Sequence, residues 1–329
     1  MTPSIHRLRP FVAALFLGTL AACGGGQDRI LGFDSSAPAA PATTTTPIPP
    51  QAPLPDGRIP PQVPPQIAAP APGSVAVPLG LATTFGAFGG SAGVTNQGIN
   101  TVVNADVGTT GASTLITGFH DGLPPNNCVY TETPLNIGTL TGLNRVYTAA
   151  PPPTASGAGC AGGTAITFEI ATRARADALV AYNELVAKPL GPDPGAGNLA
   201  NLTLAPGVYT AAAGTFRIQG GDLTLDAQGD ANAVWVFQMA TSLTVGGPGA
   251  AAPASIILTN GAQAKNVYWQ VGSAAIINAA GGGTFNGTLI SQAGAAISTS
   301  GNTNLVTING RVLSLNASVT MVNTVITLP

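Results

Sequence analysis

The chain has 329 residues, 43 of them glycine and 29 proline, with a net charge of −2, 7% charged residues and 5% aromatics. Its few basic residues form no stripe, which excludes an electrostatic nucleic-acid binder, because that function needs a concentrated basic face. From residue 198 onward the only charged side chains are Arg217, Asp222, Asp226, Asp230, Lys265 and Arg311. A module this uncharged must satisfy its backbone internally and present Thr, Ser, Asn, Gly and Ala to solvent.

Residues 1–22 read as a signal peptide. His6, Arg7 and Arg9 form a basic region, and residues 11–20 form an apolar stretch too short to span a bilayer as a helix. The segment ends in Leu20-Ala21-Ala22-Cys23, which resembles a bacterial lipobox. In such signals the cysteine becomes the lipidated mature N-terminus, so Cys23 is the expected lipidation site. The bland alternative is an ordinary signal cut near Ala22. Residues 23–77 come next, as a tether. Between Pro38 and Pro72 there are 13 prolines in 35 residues, a composition that favours extended polyproline II and builds no core.

The folded module is expected over residues 78–329. Its opening, 79–119, reads as short strands broken by glycine. Residues 120–163, rich in Pro, Asn, Cys and Gly, form an irregular insertion expected to cap or flank an end of the fold. An exported compartment allows a disulfide between Cys128 and Cys160, the alternative being two free thiols. A helix is expected over 167–187, stopped by Pro189. Phe168, Ala171, Ala178, Leu179, Tyr182, Leu185 and Val186 make its apolar stripe, with packing assigned to Phe168, Leu179, Tyr182 and Leu185. Glu169–Arg173 and Glu184–Lys188 stand at the i,i+4 spacing.

After Pro189 the chain returns to strand patterns, and four segments align without gaps: 234–245, 266–277, 288–299 and 310–321. With Gln238, Gln270, Gln292 and Ser314 as anchors, the steps are 32, 22 and 22 residues. The surplus in the first step is placed in a loop at 246–255. A period near 22 with alternating apolar positions is the signature of a stacked β-coil. The fold class is therefore mainly β, a solenoid with one long helix alongside.

The path from LTLAPGVYTA through DAQGDANAVWVFQ and NGAQAKNVYWQVG to INGRVLSLNASVT, preceded by ARADALVAYNELVAKP, resembles the microbial ice-binding-like family. So does the opening PLGLATTFGAFGGSAGVTNQG. The resemblance covers about residues 77–329. It implies a discontinuous right-handed β-solenoid with one flanking helix, and ice binding through a flat parallel sheet on the side away from that helix.

Strand alternation picks out the side chains of such a face. With Leu243, Ala275, Ile297 and Val319 inward, one outward column is Ser242, Ala274, Ala296 and Ser318. The next is Thr244, Ile276, Ser298 and Thr320. Stacked coils repeat every ~4.8 Å, and alternate positions along a strand lie roughly 6.7 Å apart. Those spacings are comparable to oxygen spacings on ice planes. The competing reading is a plain solenoid surface, since bulky or charged residues stack badly at that repeat. The family's Thr-(Ala/Gly)-x-(Thr/Asn) step occurs only at 141–144 and 164–167, outside the ladder.

Other chemistry finds little support. His120 is the only histidine after the signal, and no G-x-S-x-G surrounds a serine, so no enzyme is expected. Asp222, Asp226 and Asp230 recur every four residues, but they sit in turn sequence and read as turn formers. No metal and no cofactor are expected. Trp235, Phe237, Tyr268 and Trp269 read as packing against the helix. The expected partners are ice or ordered water, with the membrane reached only through the N-terminal lipid. The sequence predicts no nucleic acid and a monomer. The alternative function is a cell-surface or adhesion module of the same fold, binding a polysaccharide or a protein.

Overall fold

The structure, a computed structural model, describes residues 77–121, 128–153, 160, 162–247, 253–299 and 304–329. The chain divides into two units, 1–64 and 65–329. The first, with the expected signal segment and Cys23, lies outside the described residues, as does the expected tether up to residue 76. All the described residues belong to the second unit.

The second unit is a β-solenoid with three faces, and nearly every strand pair is parallel. The first face carries Gly207–Thr210, Trp235–Met239, Val267–Val271, the second half of Thr284–Ser291 and of Val306–Ser314, then Phe85–Gly89, Asp106–Ala112 and Val146–Ala149. The second face is a seven-stranded sheet. Its order is Phe216–Ile218, Leu243–Val245, Ala275–Ile277, Ala295–Ile297, Val319–Met321, Val94–Asn96, Ile116–Thr117. The third face begins with Thr203–Leu204, Leu223–Asp226 and Ile256–Thr259. It continues in the first halves of the two long strands, then in Thr324–Thr327, Thr101–Asn104 and Gly138–Leu140.

The two long strands turn a corner of the solenoid at Gly287 and Gly310, which pair in register. Gly287 has φ +117°, and a Cβ on Gly310 would lie 1.8 Å from the Gly287 carbonyl oxygen. Only glycine lets two backbones stack so closely through a bend.

The stack is discontinuous in sequence. The last coil, with Val319–Met321, pairs with Val94–Asn96, and Val306–Ser314 pairs with Phe85–Gly89. The first coils of the chain thus extend the stack beyond its C-terminal coil. The predicted insertion lies at that end and supplies sheet strands of its own. Phe119–Asp121 pairs antiparallel with Cys128–Tyr130, ending the parallel run, and a Cys128–Cys160 disulfide ties the segment down.

The register corrects the gapless alignment. Gln238 pairs with Gln270, as expected, but Gln270 pairs with Ile290 and Ile290 with Leu313. The steps are 32, 20 and 23 residues, so Gln292 lies two positions past the row and Ser314 one. The seven-stranded face keeps two- and three-residue strands throughout, while the number of residues between faces varies from coil to coil. A gapless match of similar side chains absorbed that difference as a slip.

The helix spans Ala165–Ala187. Thr164 caps it through a reciprocal pair with Thr167, whose hydroxyl also donates to the Thr148 carbonyl. It lies on the first face, over Phe85, Phe88, Val236, Tyr268, Ile290 and Leu313. Its buried side is Ala171, Ala174, Ala178, Ala181, Tyr182 and Leu185. The assignment of Phe168 and Leu179 to this contact was wrong: they are 42% and 40% exposed. Alanines at the seam allow a close approach to the sheet, and larger side chains are pushed to its flanks. The two in-register glutamines fasten the helix. Gln238 Nε2 donates to the Leu185 and Lys188 carbonyls at 2.7 and 3.0 Å, at the C-terminal end of the helix. Gln270 Nε2 donates to the Tyr182 hydroxyl at 2.8 Å.

The aromatic group is divided by strand alternation. Tyr268 faces the helix as expected. Trp235, Phe237 and Trp269 point the other way, into the solenoid interior, where Phe237 and Trp269 stack at 4.0 Å.

A flat uncharged sheet as the candidate functional site

The seven-stranded face is built by strict alternation. Its inward rows are Phe216, Leu243, Ala275, Ala295, Val319, Val94 and Ile116, then Ile218, Val245, Ile277, Ile297, Met321 and Asn96, all buried. Asn96 is a polar exception with its hydrogen bonds made. It donates to the Gly98 and Gly118 carbonyls and accepts from the Gly98 amide and the Thr101 hydroxyl. Between these rows one column points outward: Arg217, Thr244, Ile276, Ala296, Thr320, Thr95 and Thr117. The positions just before the first inward row stack as a second column, Thr215, Ser242, Ala274, Gly294, Ser318 and Gly93. Backbone bonds link each succeeding residue to the next coil.

Six of the eight expected positions stand in their expected columns: Ser242, Thr244, Ala274, Ile276, Ser318 and Thr320. Two do not. Ala296 belongs to the column of Thr244, Ile276 and Thr320, and Gly294 holds the place assigned to it beside Ser318. Ser298 is not on the face at all. It is fully buried at the corner, with φ +56°, stacked on Asn278 and Gly246, which also have positive φ. The same two-residue slip accounts for both errors, and for Ile297, which is inward but in the second row.

Sequence reading missed Arg217, Thr95 and Thr117. Arg217 was available from the alternation in Phe216-Arg217-Ile218, and it places one charge at the end of an otherwise uncharged face. Thr95 and Thr117 lie before the helix in the chain and after Thr320 in the stack, so no local period connects them to it. An in-register parallel stack loses the usual sheet twist, which keeps such columns straight. The helix lies over the first face, so nothing among the described residues covers the seven-stranded one.

The remaining candidates resolve into structural roles. Asp222 Oδ1 accepts from the Ser255 amide, Asp226 Oδ1 from the Gln228 amide and the Asn260 side chain, and Asp230 Oδ1 from the Asn232 amide. Each pins a turn or corner. His120 Nδ1 lies 2.6 Å from Glu132 Oε1, and its Nε2 lies 3.4 Å from the Thr139 hydroxyl. Of the two Thr-(Ala/Gly)-x-(Thr/Asn) steps, 164–167 is the helix capping box. The other, 141–144, is a turn closed by Asn144 onto the Thr141 carbonyl. Neither reaches the flat face.

These features define a helix-flanked β-solenoid whose candidate site is an array of side chains on an open sheet. The chain belongs to the ice-binding-like family, whose model matches residues 88–327. It is similar to an ice-binding protein of Nostoc sp. (strain HG1), 32% identical over 244 residues, covering 74% of this chain and 71% of that protein. It is also 36% identical over 155 residues to ice-binding protein 1 of Shewanella frigidimarina (strain NCIMB 400), covering 45% of this chain but only 16% of that protein. Among solved structures, a domain of Shewanella frigidimarina ice-binding protein 1 matches with TM-score 0.60 and 26% identity, covering 78% of this chain and 98% of that one. The ice-binding protein of the Antarctic ascomycete Antarctomyces psychrotrophicus matches with TM-score 0.55 and 32% identity, covering 78% and 99%.

Proposed function

We propose that this protein binds ice through its seven-stranded face. The observation that carries the reading is the in-register outward column from Thr244 to Thr117, with small side chains in the column beside it and no charge short of Arg217. Hydroxyls at a repeat of ~4.8 Å can anchor water in a matching array, and the methyls between them keep it ordered. Relatives named as ice-binding proteins support the same reading. Ser242, Thr244, Ala274, Ile276, Ala296, Ser318 and Thr320 remain on the proposed face, joined by Thr95 and Thr117.

The proposal extends to location. The signal segment and Cys23 support an exported lipoprotein held at the bacterial outer membrane or cell surface by its N-terminal lipid. The 23–77 tether would give the module reach, and the Cys128–Cys160 disulfide suits an oxidising compartment. The module acts as a monomer without cofactor or metal.

Thermal hysteresis and ice-crystal shaping of the purified protein test the function. Ala296→Tyr should abolish both, because a large outward side chain breaks the plane without touching the core. A wild-type protein inert in both assays would leave the adhesion reading, with a polysaccharide or protein partner, in its place. Release of a Cys23→Ser variant from the membrane fraction tests the anchor, and unchanged fractionation would remove it.

A further inference from the structure

The outward column is not uniform. In stacking order it reads Arg217, Thr244, Ile276, Ala296, Thr320, Thr95, Thr117. Ile276 is 44% exposed, and its neighbours Thr244 and Ala296 are only half-buried stubs beside it. Isoleucine and threonine share the branch at Cβ, so both suit a strand. Isoleucine carries one further carbon beyond that branch, reaching about a C–C bond length, ~1.5 Å, higher. Coils stack only ~4.8 Å apart, so that carbon stands over the rows on both sides. A rigid lattice cannot settle around one raised point as a flexible partner could. Past Ile276 the column is smooth, and Thr320, Thr95 and Thr117 form three successive hydroxyl-bearing rungs. They come from both ends of the chain, meeting where the C-terminal coil stacks on the first ones.

We propose that Ile276 limits ice contact, splitting the face so that the threonine rungs at this junction carry the binding. The inference rests on the ice-binding reading above and says which part of that face works and what restrains the rest. Nothing in the fold requires isoleucine here, because the side chain points away from both core clusters.

The test is hysteresis and ice shaping of the full purified protein against Ile276→Thr and Ile276→Ala, with thermal unfolding as the check on folding. Ile276→Thr should raise hysteresis several-fold at equal concentration by making the column continuous. Ile276→Ala should raise it less, removing the obstruction but adding no hydroxyl. Unfolding should be unchanged in both. An active wild type, silenced by Thr320→Tyr but unimproved or weakened by Ile276→Thr, would overturn this inference and leave the ice-binding reading standing. If wild type and both Ile276 variants are inert, both fall. If wild type is inert and Ile276→Thr shapes ice, the ice-binding reading of the native protein falls, and with it the claim that its threonine rungs carry the binding.

Discussion

Gln238 and Gln270 show how a single residue can serve two elements at once. Each sits in a sheet row yet spends its amide on the helix above, and Gln270 Oε1 also accepts from the Met239 amide at 3.2 Å. Their pairing was legible, because two glutamines in otherwise apolar strands mark a common row. Their orientation was legible only in part, since the same alternation that turns Tyr268 to the helix turns Trp269 inward. Gln270→Leu leaves the Tyr182 hydroxyl without its donor and should cost about 1–3 kcal/mol in urea unfolding. At the capped end, Asp121 is buried, with Oδ2 accepting from the Val146 amide. Burial pushes its carboxyl above the usual range. The Val146 bond and the charges of Arg145 and His120 oppose the shift without cancelling it. A carboxyl raised in the folded state contributes stability at low pH, below its unfolded value, and loses it as pH rises through the folded value. Asp121→Asn does not titrate, so it should gain most over wild type at neutral pH. The gap in melting temperature should shrink as pH falls toward 4, near the unfolded aspartate value of ~3.9. A gap that widens on acidification would reverse the assignment.

At the scale of elements, the helix was found from its period and its stop at Pro189, but its contact side was drawn through the largest apolar residues. The sheet beneath selects small ones. Phe168 and Leu179 are therefore flank residues, and Leu185 is the one large aliphatic that is fully buried on the helix. Leu185→Ala should cost about 2–5 kcal/mol, whereas Leu179→Ala should cost about 1 kcal/mol or less. Enlarging the seam with Ala181→Leu should cost about 1–3 kcal/mol by overpacking. Denaturant unfolding of the three variants distinguishes an alanine seam from a leucine one. The closing segment depends on a different device. Its disulfide joins cysteines 32 residues apart, and constraining a loop of that length is worth about 3–4 kcal/mol in the chain-entropy account. Paired Cys128→Ser and Cys160→Ser substitutions should lower stability by that order.

For the whole module, the solenoid class followed from the repeat and the resemblance, but the stacking order is a tertiary fact. Val94–Asn96 and Ile116–Thr117 are three- and two-residue strands, too short to carry a period. Their place beside Val319–Met321 comes from closing a stack across a chain that departs to build a helix and returns. Two of the three rungs of the uninterrupted threonine column were invisible for that reason, and Ser298 was misplaced because the number of residues between faces varies from coil to coil. The molecule has another open side, the third face, where Thr307 points outward between Thr284 and Val325. The central claim is that ice is met by the seven-stranded face and not by that one. Its most direct test is thermal hysteresis of wild type, Thr320→Tyr and Thr307→Tyr at matched concentration and matched melting temperature. The account predicts that Thr320→Tyr loses hysteresis and crystal shaping while Thr307→Tyr keeps both. Retention in Thr320→Tyr, with loss in Thr307→Tyr, would contradict it.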